Sequence, residues 1–365
     1  MKRLLRLPHR IVILTTTLFV VVGLTLPASA VTVGTPIIEG LVGPLGLAVG
    51  SDGTIYVTEA FAGRLTAIDR RGGEKVLVDI PGNEVAGVDA KGKGTLVFTQ
   101  TLFDGEAGEE APPLDALLGR VQPNGKAKVI ASTQAFEAAN NPDAVNTYGL
   151  VGSTDVDCLA QVEAIPFPPV YEGIVESHPY AVAIVPGGYV IADAAANAIF
   201  RVAKNGRMST LAVLPPIEQV ITADAVAALL PADISACEGE TFLGEPVPTD
   251  IEVGPDGHYY VSTLPGFPEA PGAGSVWKIN SRTGAVSLVA SGLVGPVDIA
   301  VADDGTIFVA ELFAFQISTI VGGVVAPYVF AHSPGAIEIG RDGTIYATIG
   351  VFDEVNGGAV VKITP

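Results

Sequence analysis

The segment Leu41–Glu59 reads LVGPLGLAVGSDGTIYVTE, and the segment Leu293–Glu311 reads LVGPVDIAVADDGTIFVAE. The two segments agree at most positions although they lie far apart in the chain. In each, a short alternating strand leads through an Asp-Gly pair into a second strand rich in β-branched and aromatic residues. Asp-Gly is a strong hairpin signal, which we expect to place both residues at positive φ. Each segment therefore predicts a β-hairpin, whose strands we name A and B.

Related hairpins recur along the chain, giving six copies in all. The other copies begin near Val85, His178, Val247 and Ser333. After each hairpin comes a third strand, C, and then a turn and an outer strand, D. Four antiparallel strands in roughly 40 residues is the period of a β-propeller blade. The sequence therefore predicts an all-β fold, a six-bladed β-propeller.

The two ends of the repeat region indicate how the ring closes. The sixth copy stops at Pro365 after strand C, whereas Val31 to Ile38 precedes the first copy and resembles an outer strand D. We expect this N-terminal strand to complete the last blade, which would close the ring and remove exposed sheet edges.

Long insertions interrupt the repeat only at B–C and D–A connections. They span residues 103–118, 133–177, 215–246 and 264–274. In a propeller these connections share one face, which we call the upper face, so the insertions are expected to cap it. Within the third insertion, Thr222 to Leu230 is typical of a short helix capped by Thr222. Long loops on a rigid scaffold commonly carry function, which points to the upper face.

Residues 1–30 are typical of a secretory signal peptide. Four basic residues precede an apolar run from Ile11 to Leu26, and Ala28 and Ala30 provide the small residues of a cleavage site. The alternative, a membrane anchor, would need about 20 apolar residues. We expect a secreted or extracytoplasmic mature domain, residues 31–365, that is monomeric and has no membrane span after cleavage.

Composition excludes several classes of protein. The chain is 48% hydrophobic and 16% charged, with a formal net charge of −19. Such an apolar content excludes intrinsic disorder. The negative charge argues against partners such as nucleic acid or anionic lipid surfaces. No P-loop or dinucleotide glycine fingerprint occurs, so no nucleotide cofactor is expected, and no motif identifies a catalytic residue.

The sequence has two cysteines, Cys158 and Cys237, one in each D–A insertion. In a secreted chain this placement predicts one disulfide that pins the cap. A redox-active pair is the alternative, but the Cys-x-x-Cys spacing that would favour it does not occur.

Strands A start, and strands B end, near the axis at the upper face, so polar residues there are candidates for a pocket or metal site. They are Asp250 and Asp298 at strand A starts, Glu59, Asp193 and Glu311 at strand B ends, and His178 and His332 just before strand A. Oxygen ligands suit Ca²⁺ or Mg²⁺, and imidazole would admit Zn²⁺ or Mn²⁺. The structural alternative is that the strand B acids bind turn backbone groups and the histidines are exposed loop residues.

The chain resembles the ScyD/ScyE family, secreted NHL-repeat-type propellers named from the gene cluster for the indolic–phenolic pigment scytonemin. The resemblance spans nearly all of the mature chain. It is carried by Phe136–Asp143, Pro179-Tyr180, Val190–Asp193 with Asn197, Val247–Gly257, and Leu264–Pro268 leading to Gly272-Ala273. It implies a secreted propeller that handles a small aromatic or phenolic metabolite. The wider superfamily includes metal-dependent lactonases and lyases with a cation in the channel mouth.

Two functions remain open from the sequence. The first is a small-molecule enzyme, metal-assisted, acting at the upper channel mouth. The second is a non-catalytic propeller that binds a small-molecule ligand or an extracytoplasmic protein.

Overall fold

The computed structural model describes residues 31–92, 95–104, 113–122, 125–165, 168–228 and 233–364. The predicted signal peptide and part of the first predicted insertion, residues 105–112, lie outside the described residues. No helix in the described ranges is long and apolar enough to span a membrane.

Six antiparallel sheets form the blades. Five are built from four consecutive strands, and the sixth also includes the N-terminal segment. Strands A to D of blade 1 are Pro44–Val49, Ile55–Glu59, Arg64–Ile68 and Glu74–Asp79. Those of blade 2 are Glu84–Lys91, Thr95–Leu102, Asp115–Val121 and Ala127–Ser132. Those of blade 3 are Pro179–Val185, Gly188–Asp193, Ala198–Ala203 and Met208–Val213. Those of blade 4 are Pro248–Val253, Tyr259–Thr263, Gly274–Ile279 and Val286–Leu293.

Blade 5 contains Pro296–Val301, Ile307–Glu311, Gln316–Val321 and Val324–Phe330. In blade 6, strands A to C are Ala336–Ile339, Ile345–Ile349 and Gly358–Thr364. Strand A of each blade contacts strand A of the next, and strand A of blade 6 contacts that of blade 1. The predicted propeller fold is therefore confirmed, and the six sheets are consistent with the predicted six blades. Strands A lie around a central channel, and apolar residues pack between neighbouring blades.

The N-terminal segment completes blade 6, as the sequence predicts. It pairs with strand C of that blade in two short pieces, Thr32–Val33 and Ile38–Leu41. Thr32 lies opposite Thr364, and Ile38 lies opposite Val360. The ring is thus closed by hydrogen bonds between the two ends of the described chain.

The Asp-Gly turns differ from the predicted geometry. Gly53 has a φ of +80°, but Asp52 is not at positive φ. Instead, the Asp52 side chain accepts a hydrogen bond from the backbone N–H of Thr54 at 3.1 Å. The turn therefore needs a left-handed glycine and an aspartate side chain that caps it, which suits a three-residue hairpin loop rather than a two-residue one.

The two D–A insertions build a cap on blades 2 and 3. Its helices are α1 (Thr133–Asn140), α2 (Val156–Glu163) and α3 (Ala223–Ala228), with short 3-10 turns at Pro142–Val145 and Ser235–Cys237; a third such turn, Ala60–Ala62, follows strand B of blade 1. A small sheet, which the sequence analysis missed, pairs four strands in the order Val170–Glu172, Thr147–Gly149, Thr241–Gly244 and Ile217–Val220.

Several details of the cap were predicted. The Thr222 hydroxyl accepts a hydrogen bond from the Ala225 N–H at 3.2 Å, so the predicted helix start is confirmed. Cys158 and Cys237 form the predicted disulfide across 79 residues of sequence. One boundary was wrong: the insertion predicted over 103–118 ends earlier, because Asp115–Val121 already forms strand C of blade 2.

Candidate functional site

Asp250 and Asp298 lie in strands A of adjacent blades and face the central channel, where both line one small cavity. One oxygen of Asp250 accepts the N–H of Ile299 at 3.0 Å, and one oxygen of Asp298 accepts the N–H of Ile337 at 2.9 Å. Each aspartate therefore ties its blade to the next one.

Three further carboxylates, which sequence reasoning missed, surround this pair. Asp89, Glu252 and Glu338 lie two residues along strand A from the strand-start positions. Since side chains alternate along a strand, residues two apart share a face, and this rule would have found all three. Asp89 also bridges two blades, because it accepts the N–H of Ile184 at 2.6 Å.

Crowding in the channel favours the protonated carboxyl groups. Burial raises the pKa of Asp250 to about 7, and the nearby charge of Asp89 adds to the shift. Burial also raises the pKa of Glu338 to about 8. The pKa values of Asp298 and Glu252 are raised well above the usual range, again by burial first and then by neighbouring carboxylates. The cluster can therefore hold and exchange protons near neutral pH.

The cavity that Asp250 and Asp298 share is small. The cavity beside Asp250 and Asp298 measures about 20 Å³ and is bounded by Gly46, Gly87 and Tyr180. A space of this size holds about one water molecule. An organic molecule therefore does not fit inside this cavity.

Glu59 and Glu311, at the ends of strands B, are buried and bound to their own blades. Glu59 accepts the N–H of Val42 at 3.1 Å, and Glu311 accepts the equivalent N–H of Val294 at 2.7 Å. The other oxygen of Glu311 is bound by the side chains of Gln316 and Ser318. These bonds match the structural alternative, in which the acid fixes the loop that enters strand A.

Asp193 holds the corresponding loop of blade 3. Its two oxygens accept the Ser177 hydroxyl at 2.6 Å and the His178 N–H at 2.7 Å. A further bond comes from the Ala196 N–H at 3.2 Å. The structure therefore does not bring Asp193, Glu59 or Glu311 together with the channel aspartates as free ligands.

The two candidate histidines lie in different surroundings. The His178 ring bonds to Glu84 of the neighbouring blade, with 2.6 Å between Nε2 and Oε2. Burial lowers the pKa of His178, but the Glu84, Asp193 and Glu176 carboxylates together outweigh this effect and the net shift is upward. His332 is exposed and lies beside the ring of Phe315. Neither ring joins the Asp250–Asp298 pair.

Within the described ranges, no group of three or more His, Cys, Asp or Glu side chains is arranged to hold a metal ion. The divalent cation expected at the channel mouth therefore stays a prediction.

Three phenylalanine rings form what we call the aromatic row, Phe61, Phe352 and Phe313. They lie in the loops after strands B of blades 1, 6 and 5, and each is more than half exposed. The Phe61 and Phe352 ring centroids are 6.2 Å apart with planes at 17°, and those of Phe313 and Phe352 are 6.5 Å apart with planes at 5°. The row presents three nearly parallel rings to solvent on the upper face.

The repeat itself positions two of these rings. Gly43 and Gly295 belong to the two LVGP motifs, and a Cβ atom at either would lie within 2.5 Å of the ring of Phe61 or Phe313, respectively. The row was not predicted from the sequence, although Phe61 and Phe313 both stand two residues after the glutamate that ends each long repeat. A cavity of about 540 Å³ opens beside Phe61 and Phe352.

The fold and channel define the chain as a β-propeller. No protein-family model matches its sequence, and no curated protein matches it significantly. Among solved structures, it is similar to a gluconolactonase from Xanthomonas campestris, at 13% identity over 90% of this chain and 89% of that one, with a TM-score of 0.55. A putative glucose dehydrogenase from Thermus thermophilus shows 15% identity over 92% and 100% of the chains, with a TM-score of 0.55.

A third solved structure, a putative gluconolactonase, shows 12% identity over 92% of this chain and 93% of that one, with a TM-score of 0.54. At these identities the similarity establishes the fold alone, since one propeller scaffold serves different reactions.

Proposed function

We propose that this protein is an extracytoplasmic propeller that binds a small, flat aromatic metabolite on its upper face. The aromatic row is the observation that carries the proposal. Burying a phenylalanine side chain stabilises a protein by about 1.5–3 kcal/mol. Three exposed parallel rings leave this free energy unused in the protein alone, and a ligand that covered them would gain it on binding. Aromatic rings also attract one another in offset-stacked arrangements, which selects a planar ligand.

Other features support this proposal without naming the ligand. The resemblance to the ScyD/ScyE family suggests an indolic or phenolic compound. The disulfide and the signal-like N-terminus are those expected of a secreted protein. The propellers of similar fold are described as a gluconolactonase and a putative glucose dehydrogenase, which gives a precedent for small molecules on this scaffold.

Binding of indole and p-cresol, measured by calorimetry, tests the proposal. Phe352 is the middle ring and contacts both others, so we expect Phe352→Ala to weaken binding by about tenfold, the cost of one lost aromatic pair and its apolar contact. Phe330→Ala is the matched control, because Phe330 is also exposed but lies outside the row. Equal affinity in wild type and Phe352→Ala would contradict the proposal, as would no binding at all.

A second candidate function is acid–base catalysis at the channel mouth, with Asp250 as the proton carrier. It is favoured by the pKa of Asp250, raised by burial to about 7, which suits proton transfer near neutral pH. A divalent cation would assist by polarising a carbonyl, and Asp250 and Asp298 would be its ligands.

Hydrolysis of gluconolactone, with and without chelator, tests this candidate. We expect Asp250→Asn to lower kcat by at least about 100-fold if Asp250 carries the proton. Elemental analysis of wild type and Asp298→Asn reports on the cation separately. Unchanged hydrolysis in Asp250→Asn, or the absence of any hydrolysis by wild type, would reject Asp250 as the catalyst of this reaction.

A further inference from the structure

Beneath the cap, a second polar cluster lies apart from the channel and the aromatic row. Its members are Glu137 and Asn141 on α1 and its C-terminal end, Asp143 in the following 3-10 turn, and Asn197 in blade 3. Glu137, Asp143 and Asn197 have no exposed surface at all. Neither of the candidate functions above uses these four residues, and all four fall in the segments that carry the family resemblance.

Five oxygen atoms of this cluster are buried and accept no hydrogen bond from any described residue. They are both carboxylate oxygens of Glu137 and one Oδ1 each from Asn141, Asp143 and Asn197. A buried acceptor without a donor costs about 1–3 kcal/mol, and more when it is charged. Five such atoms in one place point to a positively charged ligand.

Contacts link these side chains into one group. Glu137 belongs to the group because its backbone carbonyl accepts the Asn141 N–H at 2.8 Å, and because burial and then the nearby charge of Asp143 raise the pKa of its carboxyl. The Asn141 side-chain amide donates to the carbonyl of Gly173 at 2.9 Å, and Gly173 also touches Asp143, since a Cβ at this position would lie 2.0 Å from Asp143 Oδ1. The Asn197 amide then donates to Asp143 Oδ2 at 2.9 Å.

The asparagine orientations fix which atoms are free. In both, the NH₂ group donates to an oxygen, Gly173 O or Asp143 Oδ2, and the carbonyl oxygen is left over. Rotating either amide would set its oxygen against another oxygen, so the unpaired atoms are acceptors in both cases. Asn141 and Asn197 also hold positive φ angles of 38° and 50°. Asparagine tolerates this conformation better than most residues.

We propose that Glu137, Asn141, Asp143 and Asn197 form a Ca²⁺ site that fastens the cap to blade 3. Ca²⁺ takes six to eight oxygen ligands in flexible geometry and accepts carboxylates and amide carbonyls together, whereas Mg²⁺ demands near-ideal octahedral geometry and keeps several waters, and Zn²⁺ sites commonly include nitrogen or sulfur. The four side chains offer five oxygens and two negative charges. Only two of the four ligands are carboxylates and the other two are amides. The site is therefore compatible with the absence, in the described ranges, of a metal-binding group of three or more His, Cys, Asp or Glu side chains. The proposal does not rest on the proposed function.

Ligand binding to the folded state alone raises the unfolding temperature. For the mature chain, residues 31–365, we expect Tm to rise by about 2 °C or more between EDTA and about 1 mM CaCl₂. Tb³⁺ is a second probe, since it replaces Ca²⁺ and is excited by nearby tyrosines. Tyr148 is suited to this, because its hydroxyl lies 3.5 Å from Asp143 Oδ2.

The variants Glu137→Gln and Asp143→Asn each remove one charge while keeping shape. Both should abolish the Ca²⁺-dependent Tm shift and raise the Tb³⁺ titration midpoint at least about tenfold. Glu311→Gln is the matched control, since Glu311 is a buried carboxylate whose oxygens are bound by protein donors. It should retain the Tb³⁺ signal.

A wild-type protein with no Ca²⁺-dependent Tm shift and no Tb³⁺ emission would overturn the proposal, even if the variants failed to fold. It would also be overturned if the signal survived in both variants and disappeared in Asp298→Asn, because the ion would then lie in the channel. Loss of aromatic-ligand binding with an intact Tb³⁺ signal would count against the proposed function only.

Discussion

Asp250 serves two purposes that oppose each other. One of its oxygens accepts the Ile299 N–H and so joins two blades, which favours an ionised acceptor. The neighbouring carboxylates in the channel favour a proton on the same group. Because burial dominates, the channel cluster holds protons that an unfolded chain would release, and the protonation state of single residues becomes linked to the stability of the ring.

The stability of the ring should depend on pH through the channel carboxyl groups. The pKa values of Asp250 and Glu338 are raised by burial to about 7 and about 8, above those expected in the unfolded chain. Their stabilising effect is therefore complete below about pH 4 and is lost as pH rises through about 7 to 8. In EDTA, we expect a higher Tm at about pH 5 than at about pH 8.5, measured by circular dichroism.

Glu338→Gln isolates the channel contribution, because glutamine cannot ionise. In this variant the fall in Tm between the two pH values should be smaller than in wild type. Glu218→Gln, which changes an exposed carboxylate on the cap, is the control and should keep the wild-type fall. An identical pH dependence in wild type and Glu338→Gln would show that the channel carboxyl does not titrate in this range.

Among the strands, acidic residues at the starts of strands A and at the ends of strands B have different roles. Asp250 and Asp298 in strands A line the channel cavity, whereas the acids at the ends of strands B hold the loop that enters strand A. Sequence alone could not separate the roles, because Asp298 and Glu311 are both acidic residues at the upper end of a blade 5 strand. The direction of each side chain and its backbone partners, Ile337 and Val294, decide the difference.

The cap is the element that the disulfide should control. Cys158 and Cys237 are fully buried among the apolar residues of the cap. Cross-linking a loop of this length restricts the unfolded chain and typically stabilises a protein by about 2–4 kcal/mol. We expect Cys158→Ser combined with Cys237→Ser to lower Tm and to speed amide hydrogen exchange within Thr147–Gly149 and Thr241–Gly244.

A strand far from the cap provides the internal control for the exchange rates in the double variant. Strand B of blade 5, Ile307–Glu311, is remote in sequence from both cysteines and should keep its slow exchange in the double variant. Equal acceleration in blade 5 and in the cap would mean that the disulfide stabilises the whole ring rather than one element.

At the scale of the whole molecule, the closure of blade 6 should govern stability. Removing residues 31–41 deletes the outer strand and exposes the edge of strand Gly358–Thr364. Exposed strand edges pair with other chains. We expect the truncated protein to have a lower Tm and to associate at high concentration, as measured by light scattering. A monomeric truncated protein with the wild-type Tm would show that closure of this blade is dispensable.

Much of the overall architecture was predictable because every blade carries its own hairpin pattern. The small cap sheet was not, since its strands have only three or four residues and Gly149 pairs with Leu243 far along the chain. The candidate site was predictable in part. Asp250 and Asp298 could be selected because three other blades have glycine or alanine at the same strand A position. The buried oxygens of Glu137 and Asn197 become unusual only when the structure shows that they lack hydrogen-bond donors.

Because Thr32 pairs with Thr364, the two ends of the propeller lie side by side, and the closed ring of blades does not depend on which blade comes first in the sequence. A short linker could join these ends, and new termini could be opened at the Asp52-Gly53 turn, which faces away from the cap. Such a circular permutant would keep every blade and every interface between blades. The order of synthesis would then change while the folded ring stayed the same, which makes this protein suited to asking whether blades must fold in sequence.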